Sequence, residues 1–207
     1  MRRLLLCLSL LLSPLPALAV HLNYGPSCSQ GQAQQITAAF TLAAQRSRAS
    51  FLKLNKAWPE WSQQEQWTYN YWFGAVQKDR IARVGAVLDS IQSQLNNPKV
   101  SYDVACMLPY DPNTRNGCQP GDFAESLVNQ RHAQEVLFCD AFFGTEADGG
   151  YDSKWGVVAH EISHTAANTE DHSYSPAEAR NLSPAKQVDN ADNYEYFLEM
   201  LYIYGVH

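Results

Sequence analysis

No apolar run in this 207-residue sequence reaches the roughly 20 residues that a membrane-spanning helix needs; the N-terminal stretch Leu4 to Leu12 falls far short. Basic charge is also scarce. Fifteen Lys+Arg stand against 21 Asp+Glu, a net charge of -6, which argues against nucleic acid or an anionic membrane as partner. None of the five cysteines forms a C-x2-C pair, which argues against a zinc site built from cysteines alone. There is no repetitive or charge-rich block either. With 45% hydrophobic residues, the chain is expected to fold as one domain with a sizeable core.

The first residues have the three parts of a secretory signal. Arg2 and Arg3 are basic, Leu4 to Leu12 is apolar, and Ala17-Leu18-Ala19 supplies small residues for cleavage after Ala19. Cys7 sits inside the apolar run instead of at its far end, so it does not read as a lipid anchor. The expected division is a signal peptide over 1–19 and a single domain over 20–207, secreted or periplasmic. No inhibitory prodomain is expected between Ala19 and Tyr24. Cleavage takes Lys+Arg from 15 to 13 against 21 Asp+Glu, a net of -8. It also leaves four cysteines, Cys28, Cys106, Cys118 and Cys139. An even number in an exported chain predicts two disulfides, with three pairings open.

Ile36, Ala39, Phe40, Ala43, Ala44, Phe51, Leu52 and Leu54 recur at mostly helical spacing and predict a helix over 32–57, ended by Trp58-Pro59. Ser62-Gln63-Gln64-Glu65 has the form of a capping box and opens a second helix. From Phe73, Val76, Ile81, Val84, Leu88, Ile91 and Leu95 predict a third, stopped by Asn96-Asn97-Pro98. The aromatics Trp58, Trp61, Trp67, Tyr69, Tyr71, Trp72 and Phe73 read as packing. Residues 99–107 and 134–143 read as strands, Gly144 to Asp152 as a loop, and Trp155 to Thr165 as a helix. Helices, a few strands and then helices again are an α+β pattern.

His160-Glu161-Ile162-Ser163-His164 is an H-E-x-x-H sequence. On a helix, residues four apart share a face, so both imidazoles can reach one metal ion while Glu161 stands beside an activated water. Val157, Val158 and Ala159 supply the apolar approach expected of a buried helix. The alternative is a surface helix with two solvated histidines. A catalytic zinc needs a third protein ligand, and the metzincin continuation H-x-x-G-x-x-H is absent because positions 167 and 170 are Ala and Glu. Glu178 is explained as part of a capping box in Ser175-Pro176-Ala177-Glu178. Glu195 and the polar loop Asn168 to Tyr174 remain as sources.

His160-Glu161-x-x-His164 followed by Thr169-x-Asp171-x-x-Tyr174 resembles the deuterolysin and peptidyl-Lys metalloendopeptidase family, the aspzincins, marked by H-E-x-x-H and a later G-T-x-D-x-x-Y-G. Asn23-Tyr24-x-x-x-Cys28, Trp72-Phe73-Gly74, Cys139-Asp140-Ala141-Phe142 and Asn190 to Phe197 resemble family segments in the same order. The resemblance implies a zincin-like fold and one zinc per chain, held by His160, His164 and Asp171. It assigns Glu161 as general base and Tyr174 as donor to the transition state. It also implies the disulfides Cys28 with Cys106 and Cys118 with Cys139, and an extended substrate paired to the edge of the strand near 134–143. Asn168 stands where the family has its first glycine and Ser175 where it has its last; Asn tolerates the left-handed backbone region, Ser less well.

These readings converge on a monomeric zinc endopeptidase acting on protein or peptide substrates. Asp192 and Glu195, three apart, share a face if their segment is helical. In peptidyl-Lys members the matching pair lines the pocket for the residue after the scissile bond, so lysine is expected there. The alternatives are two acids at a helix start, favoured by the dipole, a broader deuterolysin-type specificity, or an exported zinc-binding protein without turnover.

Overall fold

A computed structural model of the chain describes residues 19–114, 116–128 and 134–204. The signal-peptide features at Arg2, Arg3, Cys7 and Ala17 lie outside the described residues. Strand β1 (His21–Tyr24) leads into three helices: α1 (Gln30–Leu54), α2 (Gln63–Phe73) and α3 (Lys78–Leu95). Strands β2 (Ser101–Cys106), β3 (Ala124–Val128) and β4 (Gln134–Phe138) follow. The rest is helical: α4 (Asp140–Gly144), α5 (Lys154–Ala167), α6 (Pro176–Asn181), α7 (Pro184–Gln187) and α8 (Ala191–Ile203). The α+β expectation holds. No helix among the described residues is long and apolar enough to cross a membrane.

The four strands form one sheet in the order β1-β2-β4-β3, parallel except for antiparallel β3 against β4. Here the expectation for residues 134–143 needs two corrections. The strand stops at Phe138, and Cys139 caps the short helix α4, whose Phe142 ring packs 4.5 Å from that of Phe138. More important for function, β4 lies between β2 and β3, so its backbone is already paired on both sides and cannot receive a substrate. The free edge at this end of the sheet belongs to β3.

Capping chemistry sets the helix ends. Ser29 and Ser62 each accept from the backbone three residues on, and Gln32 and Glu65 return the bond, a reciprocal pair at both starts. Helix α1 ends at Leu54, three residues before the expected stop. Gly74, at φ +69, ends α2, so the third helix begins at Lys78 and not at Phe73. Most of the expected aromatic cluster is packing: Trp58, Trp61 and Tyr69 lie with ring centroids 5.0 to 5.9 Å apart, and Trp72 packs on Tyr196 at 5.2 Å. Trp67 is the exception, 44% exposed and stacked at the surface on Tyr71.

Cys28 is bonded to Cys106 and Cys118 to Cys139, the pairing implied by the resemblance. They close segments of 78 and 21 residues. In the chain-entropy account, loops of those sizes stabilise the fold by about 4.5 and about 3 kcal/mol. The first bond fastens the segment after β1 to the end of β2. The second fastens the chain entering β3 to the end of β4, and so holds the free edge in place.

Candidate metal centre and active site

Helix α5 is buried over Lys154 to Ser163 and carries the H-E-x-x-H residues through the middle of the molecule. Its start is fixed by Ser153, whose hydroxyl accepts from the Gly156 N–H at 3.1 Å. The same residue donates through its N–H and its hydroxyl to Glu199 Oε1 on α8, at 2.8 and 2.6 Å. Burial, and then the charge of Glu195, push the Glu199 carboxyl well above the usual carboxylate range. Helix α5 ends at Asn168, which adopts the left-handed conformation (φ 51, ψ 48) and turns the chain back towards the histidines. Ser175 is extended (φ -146), so this path never asks it for a left-handed backbone.

Gly156 makes room for the acids behind the helix. A Cβ there would stand 2.1 Å from Glu199 Oε1 and 3.0 Å from Glu195 Oε1. Gly to Ala inside a helix ordinarily gains roughly 0.5–1 kcal/mol. Crowding a packed interior costs about 1–3 kcal/mol, and here it also displaces the carboxyl that holds Ser153. We expect Gly156→Ala to lower the unfolding temperature by roughly 3–6 °C; a higher midpoint in thermal denaturation would contradict this packing.

The loop after Asn168 delivers Asp171. Glu170 bonds through its N–H to Asp189 O and accepts at its carbonyl from Ala191 N, at 2.7 and 3.0 Å. The fully buried Asn190 accepts from the N–H groups of His172 and Ser173 at 2.7 and 3.2 Å. Asp171 is thereby clamped to the start of α8. Its Oδ1 lies 3.2 Å from His160 Nε2 and 3.2 Å from His164 Nε2. Ligands at about 2.0–2.1 Å from a tetrahedral zinc stand roughly 3.3 Å from one another, so this spacing fits that ion. Burial alone would raise the Asp171 carboxyl, but the two imidazoles outweigh it and hold it well below the carboxylate range.

The other ring nitrogens face oxygen atoms of the protein, which leaves each Nε2 for a metal. His164 Nδ1 donates to Thr169 O at 2.7 Å. His160 Nδ1 stands 2.9 Å from Asp192 Oδ1 and 3.2 Å from Glu195 Oε2. Burial would lower the His160 imidazole, yet its contacts with Asp171, Asp192 and Glu195 raise it well above its ordinary value. Burial pushes Glu195 up to about 8 against the opposing pull of His160. Asp192 and Glu195 are 3% and 2% exposed, both on α8, and both reach the cleft wall. The sequence pair is therefore brought to the site and touches a proposed ligand directly.

The cleft in front of these groups has a volume of about 700 Å³. Among the described residues eight carboxylates line it and no Lys or Arg does. Tyr174 stands on its rim, 74% exposed, with no hydrogen bond from its phenol to the three metal-ligand candidates. Sequence reasoning missed several residues of this site. Asp152, in the left-handed region at φ 57, lines the cleft, and the Tyr196 phenol reaches Asp152 Oδ1 at 3.1 Å and Asp192 Oδ2 at 3.2 Å. Asn190 and Glu199 act from behind.

The lysine-specific metallo-endopeptidase family, of the aspzincin type, matches residues 60–199. An extracellular protease of Aeromonas hydrophila is 30% identical over 190 residues, 88% of this chain but 49% of its own length. A peptidyl-Lys metalloendopeptidase of Pleurotus ostreatus is 34% identical over 136 residues, 63% of this chain and 72% of its own. Thus the chain spans about half the length of the first of these relatives. The solved structure of a zinc peptidase from Grifola frondosa superposes with a TM-score of 0.67 at 28% identity, covering 83% of this chain and 96% of that one. A buried helix presenting two histidines to a clamped aspartate, in a chain matched over most of its length, places this protein in the lysine-specific metallo-endopeptidase family, the aspzincin zinc peptidases.

Proposed function

We propose that the chain is an exported, monomeric zinc endopeptidase that cuts on the N-terminal side of lysine. The observation that carries the zinc reading is the convergence of His160 Nε2, His164 Nε2 and Asp171 Oδ1 in one cleft with Glu161. One zinc held by those atoms supplies a Lewis acid for the scissile carbonyl and makes water a nucleophile near neutral pH. Glu161 accepts the proton of the attacking water and returns it to the leaving amine. Tyr174, exposed on the rim, donates to the oxygen of the carbonyl as it gains charge. Thr169 and the acids on α8 hold the two imidazoles in the tautomer that leaves Nε2 as ligand. The substrate strand adds to the free edge of β3. Export is supported by the two disulfides. A chelator should abolish cleavage of a denatured protein and added zinc should restore it; undiminished cleavage after complete metal removal would rule the reading out.

The lysine preference rests on buried acids whose ionised forms an incoming ammonium would favour. Asp152, Asp192 and Glu195 face the cleft together, and a single phenol proton on Tyr196 serves two of them. Glu195 Oε1 is buried without a hydrogen-bond partner among the described residues. An ammonium group matches that surplus. A second reading, broader specificity, is favoured by the contacts of Asp192 and Glu195 with His160, which give both acids a task without a substrate. Glu195→Gln separates the two. Losing one partner of a desolvated pair costs roughly 2–5 kcal/mol, so lysine over neutral selectivity should fall by at least about thirtyfold while zinc stays bound. Loss of zinc with selectivity intact would favour the second reading.

A further inference from the structure

We infer that Ser126, in the middle of the edge strand β3, is the positioning residue that holds the Glu161 carboxylate ready for proton transfer; this rests on the reading of Glu161 as the base. The Ser126 hydroxyl lies 2.7 Å from Glu161 Oε2 and 2.9 Å from the backbone oxygen of the same residue. A hydroxyl carries one proton. Sharing it between two oxygens of one residue restrains the side chain relative to its own backbone, which a contact to the carboxylate alone would not do. Among the described residues, Ser126 is the one side chain that donates to Glu161. With Oε2 engaged, Oε1 is left for the water.

The surroundings make such a restraint necessary. Glu161 faces a cleft lined with other carboxylates, among them Glu125, the neighbour of Ser126 on β3. An unrestrained glutamate there would swing towards solvent and away from its neighbours. The residue choice supports the same point. A strand position facing a buried helix ordinarily takes a β-branched apolar side chain, and a hydroxyl turned inward needs a partner. Ser126 sits opposite Val136 of β4 and finds its partner across the cleft floor, 35 positions along the chain. The same strand offers its free edge to substrate, so the residue that orients the base and the backbone that receives the peptide move as one piece.

The test compares Ser126→Ala, Ser126→Thr and Ser126→Val in the full-length exported protein, reading zinc content, unfolding temperature, and kcat and KM on a lysine-containing peptide. Thr and Val have the same shape and differ by the hydroxyl, so any general cost of a larger side chain on β3 is common to both. A misplaced catalytic group can cost up to about a hundredfold. We expect Ala and Val to lower kcat at least about tenfold with KM within twofold and zinc at wild-type content, and Thr to recover most of the loss. The crystal structure of the metal-free Ala variant should show Glu161 in more than one rotamer. Wild-type kcat in Ala and Val, equal losses in Thr and Val, or a raised KM with kcat kept would each overturn the assignment. So would a single unchanged Glu161 rotamer. If Glu161→Gln kept full activity, the base itself would be misassigned, a result distinguishable from a failure at Ser126 alone.

Discussion

Glu161→Gln should bind zinc normally and lose nearly all turnover. The substitution keeps the shape of the side chain and its ability to accept from Ser126, whose hydroxyl stands 2.7 Å from Oε2 in the native protein. It removes the capacity to take a proton. Positioned acid–base catalysis contributes roughly 10²- to 10⁴-fold, and because the same carboxyl serves both the attack and the departure of the amine, the loss should lie at the upper end, about 10³-fold or more in kcat. Zinc content is the control, since Glu161 is not among the three atoms that converge on the metal position. Wild-type kcat with zinc bound would remove Glu161 from the reaction.

Asp171→Ala should act through the metal instead. Among the described residues, Asp171 Oδ1 is the one oxygen that stands at ligand spacing from both imidazoles. Loss of a group that merely orients a ligand costs about 10- to 100-fold in metal affinity or activity; loss of the ligand itself should exceed that, and activity should vanish at trace zinc. The fold should survive, because the loop is held by backbone bonds of Glu170 and by Asn190, none of which uses the Asp171 side chain. Unchanged zinc affinity in this variant would return Glu195 to consideration as the third ligand, despite its place at the far nitrogen of His160.

What could be read in the sequence was whatever depends on neighbours along the chain. The i, i+4 histidines of α5, the serine cap of α2 and the left-handed Asn168 are local, and each is where its spacing or chemistry requires. The proposed third ligand is legible only through the family likeness, since nothing within Asn168 to Tyr174 distinguishes Asp171 from Glu170 until Asn190 and Ala191 clamp the loop from another element. The two short strands β1 and β3 went unseen for the same reason. Four residues of β1 alternate partly buried with exposed, and Ala124 to Val128 includes Glu and Ser; pairing with β2 and β4 makes them strands. Placing β4 inside the sheet required knowing β3. Ser126, Asp152 and Glu199 carry no local signal at all, as their partners Glu161, Tyr196 and Ser153 lie 35, 44 and 46 positions away.

The most direct test is to digest a denatured protein of known sequence with the zinc-loaded enzyme and read the new N-termini by mass spectrometry. The charge surplus around Asp152, Asp192 and Glu195 predicts that lysine heads most of them, and that none forms after chelation. New termini without enrichment in lysine would contradict the specificity, and a digest with no zinc-dependent termini would contradict the peptidase.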